Sequence, residues 1–171
     1  MKYKLTDETI TTESGVLLHR IECIDGFGNV KAGDRGGYIE KEENLSQYGD
    51  AWVYCNAEVY GDARVYGDAR VYGYAEVYVD ARVYGYARVY GDARVYGDAV
   101  IGNINDYIVF KNNWSSGRYF TWTRSNNKWK VGCFYGNGKD LIEKAYKDSK
   151  LSGDCYKSYV ELVEKLKELQ K

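Results

Sequence analysis

From residue 51 to residue 104 the polar and apolar positions recur every six residues without an insertion. The nine copies vary on Ala-x-Val-Tyr-Gly-Asp. Ala holds the first slot throughout, Val the third in eight copies with Ile101 closing the series, and Tyr the fourth in eight with Gly102 at the end. Slots one and three share one face of a strand, while slot two and the Tyr share the other. Ala and Val suit an interior; Tyr, Arg and Glu suit an exterior. The Gly-Asp pair ends each strand, because Gly tolerates backbone angles that other residues avoid and Asp bonds turn amides locally. A hexad has no room for a helix and cannot bury its apolar face alone. The pattern therefore predicts a β-solenoid whose coils stack on one another.

The flanks follow other periods. Residues 1–44 predict a β-rich cap: residues 16–24 alternate in part as a strand, and Asp25-Gly26-Phe27-Gly28-Asn29 is a turn cluster. Such a cap covers the first coil, whose open sheet edge would otherwise pair with another molecule. The solenoid then takes residues 45–104. Residues 105–171 form a third segment, with strands predicted over 107–110, 119–123 and 129–134 and turns at Ser116-Gly117 and Ser125-Asn126-Asn127. Helices follow near 139–149 and from about 154 to 170. In the second helix Tyr159, Leu162, Val163, Leu166 and Leu169 keep the helical period. Hairpins covered by two amphipathic helices make a small α+β module.

The run Val-Tyr-Gly-Asp-Ala-Arg resembles the hexapeptide repeat of left-handed parallel β-helices. Lys31-Ala32-Gly33-Asp34-Arg35-Gly36-Gly37-Tyr38-Ile39-Glu40 and Glu43-Asn44-Leu45-Ser46 resemble the lead-in of hexapeptide-repeat proteins of phages, prophages and gut bacteria. Trp129-Lys130-Val131-Gly132-Cys133-Phe134 is similar to their tail. The resemblance implies a mainly β fold, a triangular prism with three hexads per coil, so that residues eighteen apart stack. The left hand, which opposes the usual crossover rule, is carried by the resemblance alone. So is a phage or mobile-element origin. No settled activity comes with it.

Stacking by eighteen builds three ladders. One face carries Trp52, Arg70 and Arg88 beside Tyr54, Tyr72 and Tyr90. The second carries Glu58, Glu76 and Arg94 beside Tyr60, Tyr78 and Tyr96, and the third Arg64, Arg82 and Val100 beside Tyr66, Tyr84 and Gly102. Aromatic neighbours on adjacent strands stabilise a sheet by about 0.2–1 kcal/mol per pair. A stiff face of Tyr and Arg also has the composition of an interface. The first two Tyr ladders, and the stripe Tyr159, Leu162, Leu166 and Leu169, are therefore candidates for a homo-oligomer, trimer or dimer. Asp62, Asp80 and Asp98 stack at one corner, but each reads as a turn residue beside an Arg, and no metal is expected.

Charge separates the third segment from the rest. The net charge is −1, yet between Asp106 and Asp140 there is no acidic residue. That run holds Lys111, Arg118, Arg124, Lys128, Lys130 and Lys139, interleaved with Trp114, Tyr119, Phe120, Trp122, Trp129, Phe134 and Tyr135. Cations for phosphate beside rings for bases are the recipe for nucleotide recognition. The other reading puts the aromatics in a core and pairs the cations with helical Glu. Ligand-binding candidates are Arg118, Tyr119, Trp122, Arg124, Lys128 and Lys130. Arg118 and Arg124 are the expected phosphate forks, and Trp122 or Tyr119 the expected stacking platform.

Other chemistries find little support. His19, the one histidine, lies outside the uninterrupted repeats, which argues against a catalytic base and against a zinc site. Four cysteines in no metal or redox spacing suit a reducing cytoplasm, that of the host cell for a phage-encoded chain. The glycines do not match a dinucleotide fingerprint, no apolar run reaches membrane length, and duplex nucleic acid is disfavoured. The expectation is a non-enzymatic binding protein without a cofactor. It would sequester a nucleotide-like anion or a host protein as a counter-defence inhibitor. A hexapeptide-repeat acyltransferase and a self-assembling scaffold are the alternatives.

Overall fold

The computed structural model describes residues 1–170. The chain divides into two compact units. The first comprises Met1–Tyr107 with Thr123–Asn126; the second comprises Ile108–Trp122 and the residues from Asn127 onward.

The first unit is the solenoid predicted by the hexads. Its rungs are two-residue strands, β4 (Trp52–Val53), β5 (Glu58–Val59), β6 (Arg64–Val65), β7 (Arg70–Val71), β8 (Glu76–Val77), β9 (Arg82–Val83), β10 (Arg88–Val89), β11 (Arg94–Val95) and β12 (Val100–Ile101). They pair in parallel at a spacing of eighteen: Trp52 opposite Arg70 and Arg70 opposite Arg88, Glu58 opposite Glu76, Arg64 opposite Arg82. The backbone bonds point one way along the stack. Slot-two and Tyr amides donate to the Ala and Val carbonyls of the next coil, as Arg64 does to Ala81 at 2.9 Å and Tyr66 to Val83 at 3.0 Å. Every Ala of the repeat and Val71 and Val77 are fully buried. The inward assignment of those slots holds.

The corners turn through a left-handed residue in slot five. Gly61, Gly67, Gly73, Gly85, Gly91 and Gly97 all have φ between 62° and 79°. Cys55 (φ 55°) and Val79 (φ 67°) take the same conformation with a Cβ attached, a strained state for a β-branched residue. Val79 stacks directly on Gly61: a Cβ at Gly61 would lie 3.0 Å from the Val79 amide nitrogen.

The segment expected as a separate N-terminal cap shares the solenoid's sheet. Strands β1 (Tyr3–Thr11) and β2 (Leu17–Cys23) form an antiparallel hairpin, and β2 pairs with β3 (Arg35–Ile39). β3 then pairs in parallel with β5, Tyr38 opposite Glu58, so it is a rung in its own right. Lys2 is buried beneath this layer and donates to the Gly49 and Ala51 carbonyls at 3.3 and 2.8 Å. Burial pulls its ammonium down to about 8. At the other end, residues 123–126 satisfy the last coil: Val100 N–H donates to Ser125 Oγ at 2.8 Å, and Asn126 Nδ2 to Asp98 at 2.9 Å.

The second unit contains a four-stranded sheet in the order β13 (Tyr107–Lys111), β14 (Tyr119–Thr123), β15 (Lys128–Val131), β16 (Phe134–Gly136). Helices α1 (Gly138–Asp148) and α2 (Lys150–Glu168) follow, with Asn137 and Ser149 as N-caps accepting from Asp140 and Ser152. The third predicted strand breaks in two at Gly132 (φ 52°). The predicted interhelical loop shrinks to Ser149. Helix α2 runs through Gly153, where any Cβ would collide with the Tyr146 ring of α1. Close helix packing there outweighs the roughly 1 kcal/mol that Gly costs inside a helix. Phe120, Trp122, Trp129 and Val131 from the strands meet Leu141, Ala145, Tyr156, Val160 and Val163 from the helices in one core.

Candidate functional site

Strand parity decides the fate of the basic aromatic run. Phe120 and Trp122 alternate with Tyr119 and Thr121, and the first pair faces the helical core. Trp122 is 1% exposed and its indole N–H donates to Asn127 at 2.9 Å. It is therefore core and no open platform for a base, a correction to the expected role. On β15, Trp129 and Val131 face the core, so Lys128 and Lys130 take the opposite side of the sheet. Tyr119 is there too, with the Lys111 ammonium 4.0 Å from its ring centroid. Arg124 groups with the solenoid unit, its N–H donating to the Asp106 carbonyl at 2.8 Å. The six candidates do not share one site.

Arg118, one of the six, lines a cavity of the second unit. That pocket, about 250 Å³, is bounded by Arg118, Val131, Gly132, Cys133, Phe134, Leu141, Lys144, Ala145, Asp148 and Tyr156. The loop before β14 fixes Arg118 from behind. Asn112, wholly buried, donates its backbone N–H to the Arg118 carbonyl at 2.9 Å and its side-chain amide to Ser115 and Ser116. Ser116 Oγ also accepts from Arg118 N–H at 3.4 Å and lies 3.1 Å from the Tyr156 hydroxyl. The Arg118 chain passes over Gly132, where a Cβ would stand 3.6 Å from its Cδ and Nε. Across the pocket the Lys144 ammonium lies 5.8 Å from the Phe134 ring centroid. Among the described residues neither cation has a carboxylate within ion-pair distance, although Asp148 is on the rim. Val131, Leu141 and Ala145 supply an apolar floor. Two cations above an apolar floor suit a small organic anion. Sequence reasoning missed Lys144, which lies on α1 beyond the acid-free run. Its position beside core-facing Ala145 and three residues past Leu141 was the available signal.

The proposed interface ladders also separate. On the first face Tyr54 meets Tyr72 edge-on at 6.4 Å, Tyr72 stacks on Tyr90 at 5.5 Å, and Tyr107 adds its ring beyond Tyr90 at 6.3 Å. On the second face Tyr60 stacks on Tyr78 at 4.8 Å and Tyr78 meets Tyr96 edge-on at 4.8 Å. There the chain's own hairpin intervenes: Leu18 and Tyr38 bury Tyr60, with Ile10, Val16 and Tyr78 packed against them. Burial raises the Tyr60 and Tyr78 hydroxyls above the ordinary tyrosine range. Tyr60 is thus covered from within and is no free interface residue. On α2, Tyr159 packs on Phe110 and Phe120 at 5.2 and 5.1 Å, whereas Leu162, Leu166 and Leu169 stay exposed. The stripe divides between core and surface.

Elsewhere the chemistry is local. His19 Nδ1 lies 3.1 Å from the Thr6 carbonyl within the β1–β2 hairpin. Lys41 pairs with Asp62 at 2.9 Å, and among the described residues no three His, Cys, Asp or Glu converge as a metal site. No helix among them is long and apolar enough to cross a membrane.

Comparison with known protein families meets the solenoid. The family described as YdcK Beta solenoid repeat matches residues 57–73, 63–79 and 87–103. A protein of Escherichia coli (strain K12) named "Uncharacterized acetyltransferase YdcK" is 38% identical over 60 residues. The match covers 31% of this chain and 18% of that relative, so the chain spans less than a fifth of the relative's length.

Proposed function

We propose that this chain is a non-enzymatic β-solenoid binding protein that captures a small, nucleotide-like organic anion in the pocket of Arg118 and Lys144. The observation that carries the reading is the pair of cations, free of carboxylate partners among the described residues, over an apolar floor. A guanidinium presents a planar fork to an oxyanion and an ammonium adds a point charge. In a phage-borne protein, the setting suggested by the sequence resemblance, such capture would act as sequestration in counter-defence. Titration calorimetry of the full chain against nucleotides and short aromatic carboxylates tests the proposal. Binding should weaken at least tenfold in Arg118→Ala/Lys144→Ala and fall with added salt. An unchanged affinity in that variant overturns the assignment.

A second reading follows from the name of the relative: transfer of an acetyl group. The family match lies within the repeats, and His19 lines neither of the two cavities. Incubation with acetyl-CoA and candidate acceptors, followed by mass spectrometry, separates the two readings. Turnover would favour the transferase.

A further inference from the structure

The three solenoid faces have the same backbone and different covers. On the first, Trp52 is buried against Tyr3 and Phe27, and Tyr107 donates its hydroxyl to the Arg88 carbonyl at 2.9 Å. On the second, the hairpin lies over the Tyr ladder. On the third, Tyr66 and Tyr84 are 37% and 38% exposed, comparable with Tyr90 of the first face, and stack at 5.4 Å with 10° between planes. Beside them Arg64 and Arg82 stand directly opposite each other on β6 and β9, both exposed. Neighbouring strands lie about 4.8 Å apart, so two like charges face each other at one rung's distance, an arrangement that destabilises a sheet unless an anion joins them. Among the described residues neither guanidinium has a carboxylate within ion-pair distance. The first face repeats the pairing at Arg70 and Arg88. The third also carries a cavity of about 390 Å³ lined by Glu43, Ser46, Arg64, Val65, Tyr66 and Arg82.

We infer that this groove binds a nucleoside phosphate, at a site separate from the pocket of the second unit. The assignment follows from how the lining is divided. Arg64 and Arg82 offer two forks to one phosphate, whose oxygens can accept from both at the spacing of adjacent strands. Tyr66 presents the outer surface of a stacked pair, a platform for a base. Glu43 repels a phosphate and accepts from hydroxyl groups, while Ser46, whose hydroxyl already donates to the Tyr48 carbonyl and accepts from the Tyr48 N–H, both at 3.0 Å, can only accept from a ligand. The groove therefore has an anion end, an aromatic wall and a hydroxyl-reading end. A bare phosphate would use the first alone. Polyanionic nucleic acid is less suited, because a chain of net charge −1 lacks the broad positive field that such a partner needs.

Adenosine 5′-monophosphate, adenosine and inorganic phosphate, each titrated calorimetrically into the full chain at low and high salt, provide the test. The monophosphate should bind more tightly than either fragment and weaken with salt. Arg64→Ala/Arg82→Ala should lower its affinity at least tenfold, and Arg64→Lys/Arg82→Lys, which keeps the charge, should lie between. Tyr66→Ala should weaken the monophosphate and leave inorganic phosphate unchanged. These side chains point outward, so each variant should keep a cooperative circular dichroism melt, slightly lower for Tyr66→Ala, which loses its stack on Tyr84, and no lower for Arg64→Ala/Arg82→Ala, which removes a like-charge pair. Arg118→Ala/Lys144→Ala serves as the control, because loss there and not in the solenoid variants would place the nucleotide in the other pocket and overturn the inference. Absence of monophosphate binding at millimolar concentration, or adenosine binding as tightly as the monophosphate, would also overturn it.

Discussion

The solenoid and the C-terminal unit treat neighbouring residues in opposite ways. In the solenoid a residue's slot decides its fate, and its partners are the same slot one coil away: Val53, Val71 and Val89 are all fully buried in register. In the C-terminal unit adjacent residues part company. Arg118 reaches a pocket, Tyr119 the far side of the sheet and Phe120 the core. A repeat turns local pattern into tertiary contact, because each coil meets a copy of itself. Without a repeat, the contact depends on which distant segment returns.

The largest effect that sharpens this contrast is expected inside the solenoid. Val71→Asp places a carboxylate in a fully buried column. Leaving it without partners costs several kcal/mol against a typical stability of about 5–15 kcal/mol. The cooperative melt should disappear or drop by tens of degrees, and an unchanged melting temperature would refute the inward column. Gly153→Val tests the other kind of packing. It drives a side chain into Tyr146, with a cost of about 1–3 kcal/mol. Hydrogen exchange should rise in α1 and α2 and stay unchanged in β4 to β12. Spread of the protection loss into the rungs would mean that the two units are not energetically distinct.

Smaller effects test how strict the repeat must be. Val79→Gly removes a left-handed β-branched residue from a corner slot that glycine fills in six of the nine copies. Stabilisation of about 0.5–1 kcal/mol is expected after the added freedom of the unfolded chain is subtracted. A lower melting temperature would show that the exposed Val79 side chain contributes more than the strain it brings. Glu58→Gln is the subtlest. Burial, then Glu76 and Glu13, raise the Glu58 carboxyl against the pull of Arg94. The folded state thus binds this proton more tightly than the unfolded chain. The stability it contributes is complete below about pH 4.3 and is lost as pH rises through the folded value. The variant should melt higher than the parent at pH 7 and alike at pH 4. Equal gains at both would place the effect outside ionisation.

Much of this architecture was legible because a six-residue period leaves little freedom. A one-residue slip would turn every Ala and Val outward, so inward slots and corners follow from one phase, while the eighteen-residue stack was what the family resemblance implied. The C-terminal helices were legible as periodic stripes, but not which stripe packs. Val163 is buried while Leu162, its neighbour in the same apolar pattern, remains exposed. The acid-free run was a true compositional feature, yet it mixed residues of both sheet sides with Trp122 of the core.

By itself the sequence determined where each hexad residue points, where the corners fall and, apart from the break at Gly132, which segments after the solenoid form strands and helices, since these follow from local periodicity and backbone geometry. Only the tertiary structure decided which Tyr ladder the hairpin covers and which cations share a cavity. Tyr60 and Tyr66 occupy the same slot, but a hairpin some forty residues upstream covers one and leaves the other at the surface. Arg118 and Lys144 lie on different elements and meet because the fold of the second unit brings a helix across the strands. Contacts of that kind depend on how separate segments pack, which no local pattern encodes.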